Sequence, residues 1–201
     1  KCKSDAGKAK VKGTPTFLIN GVRVIGAVPI DDFKSVIDDE IKRAEETAKQ
    51  TKLSGNDLYK ELVRTASDQK AKPTLFDDDD DDSPKDRIYV NTAKSAVIGN
   101  KNAPITIVAF LDFQYPSSSR AWDNMQSLMK NNSKQIRIVV KHHPQSYHKN
   151  AKLAARAAEA AKKQKKFEPY IKMLFENQDA LDRNDLIQYA KELKLNEKKF
   201  I

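Results

Sequence analysis

Apolar residues recur along the chain with two different spacings, and these spacings predict an alternation of short strands and amphipathic helices. The runs Thr16–Ile19 and Val22–Ile25 flank Asn20-Gly21, a pair that between apolar runs is the strongest short-range signal for a β-hairpin. Beyond Pro29, the apolar residues fall on one helix face: Ile30, Phe33, Val36, Ile37 and Ile41. Residues 13–48 are therefore predicted to form a hairpin followed by an amphipathic helix.

The C-terminal part of the chain shows the same spacings in a longer series. A strand is predicted at 88–90, and a turn at Gly99 and Asn100 leads to 105–111, a continuous apolar run typical of a buried strand. The other predicted elements are a helix at 117–130, a strand at 136–141 and helices at 151–166, 168–176 and 183–193, the last capped by Asp182. This order predicts an α/β unit with a parallel crossover.

Between these parts, residues 49–86 are predicted to be a connector. A short helix is expected at 55–66, with Ser54 or Asn56 as its cap. Six consecutive aspartates follow at positions 77–82 and are predicted to form a solvated linker, because like charges in a row repel one another. A calcium site is the alternative for this run, but the glycine and the spaced ligands of a calcium loop are absent.

Composition narrows the possible chemistry. The 201 residues include one cysteine, Cys2, which excludes an intrachain disulfide, a Cys-x-x-Cys pair and a multi-cysteine metal site. No apolar run approaches the roughly 18 residues of a membrane span. Residues 87–201 hold 21 basic and 10 acidic side chains within a chain of net charge +9. Such an excess suggests nucleic acid or anionic lipid as a partner, but few aromatics lie among the lysines, which favours a solvated helix face.

Two further side-chain groupings have ordinary structural explanations. Ser117, Ser118 and Ser119 together with a histidine suggest a serine nucleophile and its base, but no nucleophile-elbow glycines flank them, and serine is a common residue at a helix start. The histidines at 142, 143 and 148 suggest a metal site, yet no cysteine or convincing carboxylate accompanies them. We therefore predict neither a metal nor a cofactor, and expect His148 to close the turn before its helix.

Several segments resemble DsbA-type proteins, which have the thioredoxin fold. Residues 13–21 (GTPTFLING) resemble the family's cis-proline loop and hairpin, and 102–108 (NAPITIV) with 110–114 (FLDFQ) resemble its first core strand running into the redox site. His148-Lys149-Asn150-Ala151 and residues 167–183 resemble the inserted helical subdomain. The resemblance implies an α/β, thioredoxin-like fold of DsbA type with an inserted helical subdomain.

The order of these segments is inverted relative to the family. Residues 1–48 resemble the C-terminal half of a thioredoxin-like domain, 49–86 form the connector, and 87–201 resemble the N-terminal half plus the helical insert. The chain is then either a slice across tandem repeats or a circular permutant. We expect the halves to complement each other, within one chain or across a homodimer, because a lone half leaves an open sheet edge.

The resemblance breaks down at the redox motif. Family members carry Cys-x-x-Cys directly after the Asp-Phe-Gln stretch, where this chain has Tyr115-Pro116-Ser117-Ser118. A hydroxyl cannot replace the thiolate of disulfide exchange, and Cys2 alone supports at most a transient mixed disulfide or an intermolecular link. We predict no catalytic residue here, with Tyr115 and Ser118 as degenerate positions. The predicted peptide-binding residues are Thr14, Pro15, Tyr115, Pro116, Ser117 and Ser118.

These observations lead to three functional hypotheses. The first is a redox-inactive DsbA-like module that binds extended peptide or unfolded protein, or acts as a scaffold, in the bacterial periplasm or cell envelope. The second is part of a multidomain thiol–disulfide oxidoreductase whose active Cys-x-x-Cys lies outside this chain. The third, a basic nucleic-acid-binding module, is disfavoured by the scarcity of aromatics among the lysines. No signal peptide is recognisable, and Lys1-Cys2 is expected to be the middle of a longer gene product or the start of a processed one rather than a natural start.

Overall fold

The computed structural model describes residues 2–66 and 87–200. Its strands are β1 (Thr16–Ile19), β2 (Val22–Ile25), β3 (Ala96–Gly99), β4 (Ile105–Leu111) and β5 (Ile136–His142). Its helices are α1 (Cys2–Lys8), α2 (Ile30–Thr51), α3 (Gly55–Arg64), α4 (Pro116–Asn131), α5 (Ala151–Lys163), α6 (Phe167–Glu176), α7 (Arg183–Glu192) and α8 (Glu197–Phe200). The aspartate run at 77–82 lies outside the described residues.

The strands form one five-stranded sheet to which both parts of the chain contribute. The strand order is β2-β1-β4-β5-β3. β4 and β5 run parallel, with Ile107 opposite Ile138, and this confirms the predicted parallel crossover through α4. β1 lies antiparallel between β2 and β4, with Thr16 opposite Phe110. Residues before and after the connector therefore share one sheet within a single chain.

Helices cover both faces of this sheet. β1, β4 and β5 are buried throughout, and for β4 the continuous apolar run predicts this. One face packs against α2, α4, α5 and α6, and its strand residues include Phe17, Ile107 and Ile138. The other face, which includes Leu18, Phe110 and Val139, packs against alanines of the N-terminal segment and against Tyr59 and Val63 of α3. α3 is therefore part of the hydrophobic core as well as a connection.

The predicted strand at 88–90 is wrong, and the strand of this region is β3, eight residues further on. Ile88 N–H donates to the Gly21 carbonyl in the hairpin turn at 3.0 Å, and Val90 N–H donates to the Tyr59 hydroxyl at 3.1 Å. The backbone N–H groups of Ile88 and Val90 are thus hydrogen-bonded to the hairpin turn and to a side chain, while β3 forms the antiparallel ladder with β5.

The helical predictions are confirmed apart from their ends. α5 stops at Lys163 because Lys165 has a left-handed backbone, with φ of 61°. Asp182 caps α7 as predicted, since its Oδ1 accepts from Asn184 N–H and Asp185 N–H at 2.7 and 3.0 Å. Ser54 occupies the cap position of α3 without a side-chain hydrogen bond. The short helices α1 and α8 were not predicted, because neither is long enough to show a helical period.

Candidate functional site

The segment that resembles a redox motif forms the start of α4, directly after β4. Pro116 is the first residue of the helix, and Tyr115 is its N-cap, with no side-chain capping bond. The Tyr115 carbonyl accepts from Ser118 N–H at 2.9 Å, and Tyr115 N–H donates to the Asp112 carbonyl at 3.2 Å. Tyr115 therefore stands at the positive end of the helix dipole, the environment that lowers the pKa of a cysteine thiol.

A buried carboxylate, Asp112, ties the segments of this site together. Its Oδ1 accepts from Gln114 N–H at 2.9 Å, and its Oδ2 accepts from Gln145 N–H and from His148 Nδ1, both at 2.8 Å. Because the carboxylate accepts all these bonds, the network assigns a proton to Nδ1 of His148. Asp112 thus joins the end of β4 to the loop at 143–150.

Sequence reasoning missed the role of Asp112. The only signal was its place in the Asp-Phe-Gln stretch, together with His148 in the His-Lys-Asn-Ala stretch. It also missed Gln178, whose Nε2 donates to the carbonyls of Phe113 and Tyr115 at 2.8 and 3.0 Å. Gln178 lies between α6 and α7, and no spacing in the sequence relates it to position 115.

An aromatic row leads from Tyr115 to the surface. The ring centroids of Tyr115 and His148 are 5.5 Å apart, and those of His148 and Tyr147 are 4.6 Å apart. Tyr115 is half-buried, whereas Tyr147 is 71% exposed. His148 N–H also donates to the Gln145 carbonyl at 3.3 Å, so the residue closes the turn before α5 as expected.

The hydroxyls of the three serines bond to groups other than histidine. Ser118 is fully buried, and its Oγ accepts from Asp112 N–H at 3.3 Å. Ser117 Oγ accepts from Arg120 at 2.9 Å, and Ser119 Oγ donates to the Phe175 carbonyl at 3.4 Å. Among the described residues, no serine of this group bonds to a histidine. This arrangement gives no support to a serine nucleophile activated by a base.

The other predicted segment, Thr14-Pro15, lies at the same end of the sheet. Its peptide bond is cis. Thr16 pairs with Phe110, so Pro15 lies level with Leu111, one residue before Asp112. The structure thereby brings Thr14 and Pro15 to the end of β4 from which the Tyr115–Ser118 turn departs. Thr14 lies outside β1, and its backbone N–H and C=O have no hydrogen-bond partner among the described residues.

A groove lies beside this turn. It has a volume of about 460 Å³ and is lined by Ala27, Val28, Pro29, Ile30, Arg120, Asp123 and Asn124. Asn124 Nδ2 donates to the Val28 carbonyl at 3.1 Å and so fixes α4 against the segment between β2 and α2. Arg120 joins the groove to the turn through its bond to Ser117. The wall residues thus come from both parts of the chain.

The remaining histidines do not assemble a metal site. His142 Nε2 lies 3.1 Å from Glu159 Oε1, and this hydrogen bond lowers the pKa of Glu159 to about 2. Burial lowers the pKa of His143, and the nearby Asp112 partly offsets that effect. Within residues 2–66 and 87–200, no group of three histidine, cysteine or carboxylate side chains is arranged to hold a metal ion. Nor is any helix in those ranges long and apolar enough to cross a bilayer.

Comparisons with known proteins identify relatives of part of the chain. A family model described as Thioredoxin matches residues 91–200, which is more than half of the chain. The chain is 37% identical over 103 residues to the Na(+)/H(+) antiporter NhaA of Herminiimonas arsenicoxydans, covering 51% of this chain and 16% of that protein. It is 34% identical over 114 residues to the Na(+)/H(+) antiporter NhaA 3 of Salinispora tropica, covering 56% and 17%. The chain spans about a sixth of the length of these relatives.

A solved structure is also similar. It is a thioredoxin-like oxidoreductase from Silicibacter pomeroyi DSS-3, 27% identical in sequence, with a TM-score of 0.49. The match covers 53% of this chain and 60% of that one.

Proposed function

Because the chain belongs to the thioredoxin family and has a thioredoxin-like fold, we propose that it is a redox-inactive, DsbA-like module that binds extended peptide segments. The observation that carries the proposal is the occupancy of the redox positions: Tyr115 stands at the helix N-cap and Ser118 is buried one turn later. Disulfide exchange needs a thiolate at the first position and a resolving thiol at the second. The one cysteine of the chain lies at position 2.

Peptide binding is supported by what remains accessible around these positions. Tyr115 is half-buried and Pro116 is exposed, so both present apolar surface beside the cis-proline loop. The unpaired backbone groups of Thr14 offer one donor and one acceptor to an extended segment, which is the bonding that β-strand addition requires. The groove at Pro29 and Arg120 has room for side chains of that segment. We place this activity in the bacterial periplasm or cell envelope.

Two measurements on the chain test this function. Insulin reduction should proceed at the background rate. Binding of a reduced, unfolded protein, followed by fluorescence anisotropy, should weaken about tenfold or more in Tyr115→Ala, because aromatic anchors carry much of the energy of such interfaces. Tyr89→Ala is the matched control, since Tyr89 is 40% exposed and stacks on Tyr59 on the other side of the sheet. Catalytic turnover, or equal losses in both variants, would contradict the proposal.

A cysteine-restoring variant tests whether the position is a former redox site. Tyr115→Cys with Ser118→Cys, in a Cys2→Ser background, should form a disulfide and reduce insulin above background, because the helix N-terminus lowers the pKa of the first thiol. Tyr115→Cys alone lacks the resolving thiol and should not turn over. An inactive double variant that is folded would argue against a redox-type geometry at the start of α4.

A second candidate function follows from the family and from the length of the relatives. The matched segments make up 16% and 17% of the two antiporters, so a segment of this kind forms a small part of a longer protein there. Because the chain belongs to the thioredoxin family, we propose as the alternative that it is one domain of a larger thiol–disulfide oxidoreductase. Another domain of that protein would then carry Cys-x-x-Cys. The sequence of the full gene product separates the two candidates. A Cys-x-x-Cys domain beside this one, with insulin reduction by the whole protein but not by this chain, would favour the second.

A further inference from the structure

The outer face of α5 carries a straight row of cations. Lys152, Arg156 and Lys163 fall on one side of the helix and are all exposed, while the alanines of α5 face the core. At 1.5 Å per residue, the row from position 152 to 163 is about 16 Å long. Lys165 and Lys166 continue it beyond the end of the helix and are exposed as well. We call these five residues the basic stripe.

The stripe cations have no direct ion-pair partner. Between positions 149 and 166 the only acidic residue is Glu159, which lies on the same side of α5 between Arg156 and Lys163. Its two oxygens bond instead to His142 at 3.1 Å and Lys162 at 2.8 Å. Among the described residues, none of the five stripe cations takes part in an ion pair. Each of the five therefore presents its charge to solvent without a direct partner among the described residues, and together they supply five of the 21 basic side chains of residues 87–201.

An exposed aromatic side chain, Tyr147, lies in the loop just before the helix that carries the stripe. Tyr147 is 71% exposed, and its ring lies edge-on to His148, which in turn contacts Tyr115. A tyrosine with an exposed ring and a polar tip suits the boundary between headgroups and acyl chains. A row of cations beside such an aromatic is the composition of interfacial membrane-binding surfaces.

We propose that the basic stripe and Tyr147 form a docking face for a bilayer surface that contains anionic phospholipid. Single-stranded nucleic acid fits this face less well, because base stacking requires aromatics interleaved among the cations and here one aromatic lies at one end. Docking through this face brings the Tyr115 turn close to the membrane, since the aromatic row connects the two. The proposal is independent of what the Tyr115 site binds.

Vesicle co-sedimentation of the full chain tests the proposal. The protein should pellet with phosphatidylcholine vesicles that contain phosphatidylglycerol but not with phosphatidylcholine alone, and added salt should release it. The triple variant K152E/R156E/K163E should bind at least about 100-fold more weakly, because each lost cation costs a factor of about five at an anionic surface and each new carboxylate is repelled by it. Tyr147→Ser should weaken binding as well, without changing the salt dependence.

A matched variant separates the stripe from net charge. K42E/K49E/K134E makes the same change in charge at exposed lysines of α2 and of the loop before β5, and it should keep near-normal vesicle binding. Circular dichroism should confirm that both variants fold. An equal loss in both, or no binding to anionic vesicles, would overturn the proposal. Stripe-dependent binding to single-stranded or duplex DNA without vesicle binding would overturn it in favour of nucleic acid.

Discussion

At the residue scale, the site is organised by Asp112 rather than by the positions that resemble the redox motif. Its carboxylate is fully buried and is held by two backbone N–H groups and one imidazole. A buried carboxylate is costly unless its oxygens are hydrogen-bonded, so these three donors are what permit it. The sequence alone predicted Tyr115 and Ser118 as the degenerate redox positions, because they stand where the family carries the two cysteines of Cys-x-x-Cys. Asp112 and His148 lie 36 residues apart, and only the folded chain brings them together.

His148→Ala should show how much the hydrogen bond between His148 and Asp112 contributes to the stability of the fold. The variant removes one donor from a buried carboxylate, and we expect it to lower the free energy of unfolding by about 1–3 kcal/mol. Urea unfolding followed by circular dichroism measures this change. Tyr147→Ala is the control, because it removes the outer ring of the aromatic row and leaves the bond between His148 and Asp112 in place. Equal midpoints for the two variants would show that the pair contributes little.

The hydrogen bond between Glu159 and His142 should make the free energy of unfolding depend on pH in the acid range. The hydrogen bond from His142 holds the pKa of Glu159 at about 2 in the folded chain, below its ordinary value of 4.5. A depressed folded pKa stabilises the fold above the unfolded pKa, and this contribution is lost as pH falls from 4.5 toward about 2. Glu159→Gln should therefore flatten the stability profile over that range.

Urea midpoints measured from pH 6 down to about 2 check the Glu159 prediction. Glu168→Gln serves as the control, because Glu168 is exposed and makes no ion pair among the described residues. Its profile should match that of the unmodified chain. A Glu159→Gln profile as steep as that of the control would contradict the assignment.

At the element scale, the sequence predicted those segments whose local signals agree with their packing. The Asn20-Gly21 hairpin, the buried run of β4 and the Asp182 cap of α7 each have such a signal. The prediction of a strand at 88–90 was wrong because the apolar pattern of this segment suits either a strand or an unpaired extended segment. Which of the two forms depends on the hydrogen-bond partners that the fold places beside the segment. Ile88 N–H and Val90 N–H donate to the Gly21 carbonyl and the Tyr59 hydroxyl, whereas Ala96–Gly99 pairs with β5.

Gly99→Ala should test the end of β3. Gly99 has a φ of 86°, and an added Cβ would meet the terminal methyl of Met129 and lie 3.0 Å from the Ile136 carbonyl. The left-handed backbone and this contact should together cost about 1–3 kcal/mol of unfolding free energy. Gly7→Ala in α1 has open space around its Cβ and should be neutral or stabilise by up to about 1 kcal/mol. Chemical denaturation of both variants measures the difference, and similar midpoints would contradict it.

At the scale of the whole molecule, the sheet joins segments that the resemblance assigns to opposite halves of a thioredoxin-like domain. β1 covers the edge of β4, and Phe17 and Ile19 lie in the same cluster as Ile107 and Ile138. The resemblance supplied the pieces and their inverted order, but pairing between β1 and β4 depends on contacts about 90 residues apart. The spacing of apolar residues along the chain does not predict which distant strands pair. The sequence therefore left three arrangements open: a slice across tandem repeats, a circular permutant and a swapped dimer.

Separate expression of residues 1–86 and 87–201 tests this pairing directly. Without the first fragment, the second exposes the edge of β4 and loses the apolar side chains that cover it, so it should be poorly folded alone. The two fragments should associate one to one and regain the circular dichroism of the intact chain. Phe17→Asp in the first fragment should abolish association, because Phe17 pairs with Ala109 of β4 and is fully buried in the core cluster that includes Ile107, whereas Lys34→Asp on the exposed face of α2 should not. A second fragment that folds alone with the stability of the whole chain would show that the N-terminal hairpin is dispensable to the sheet.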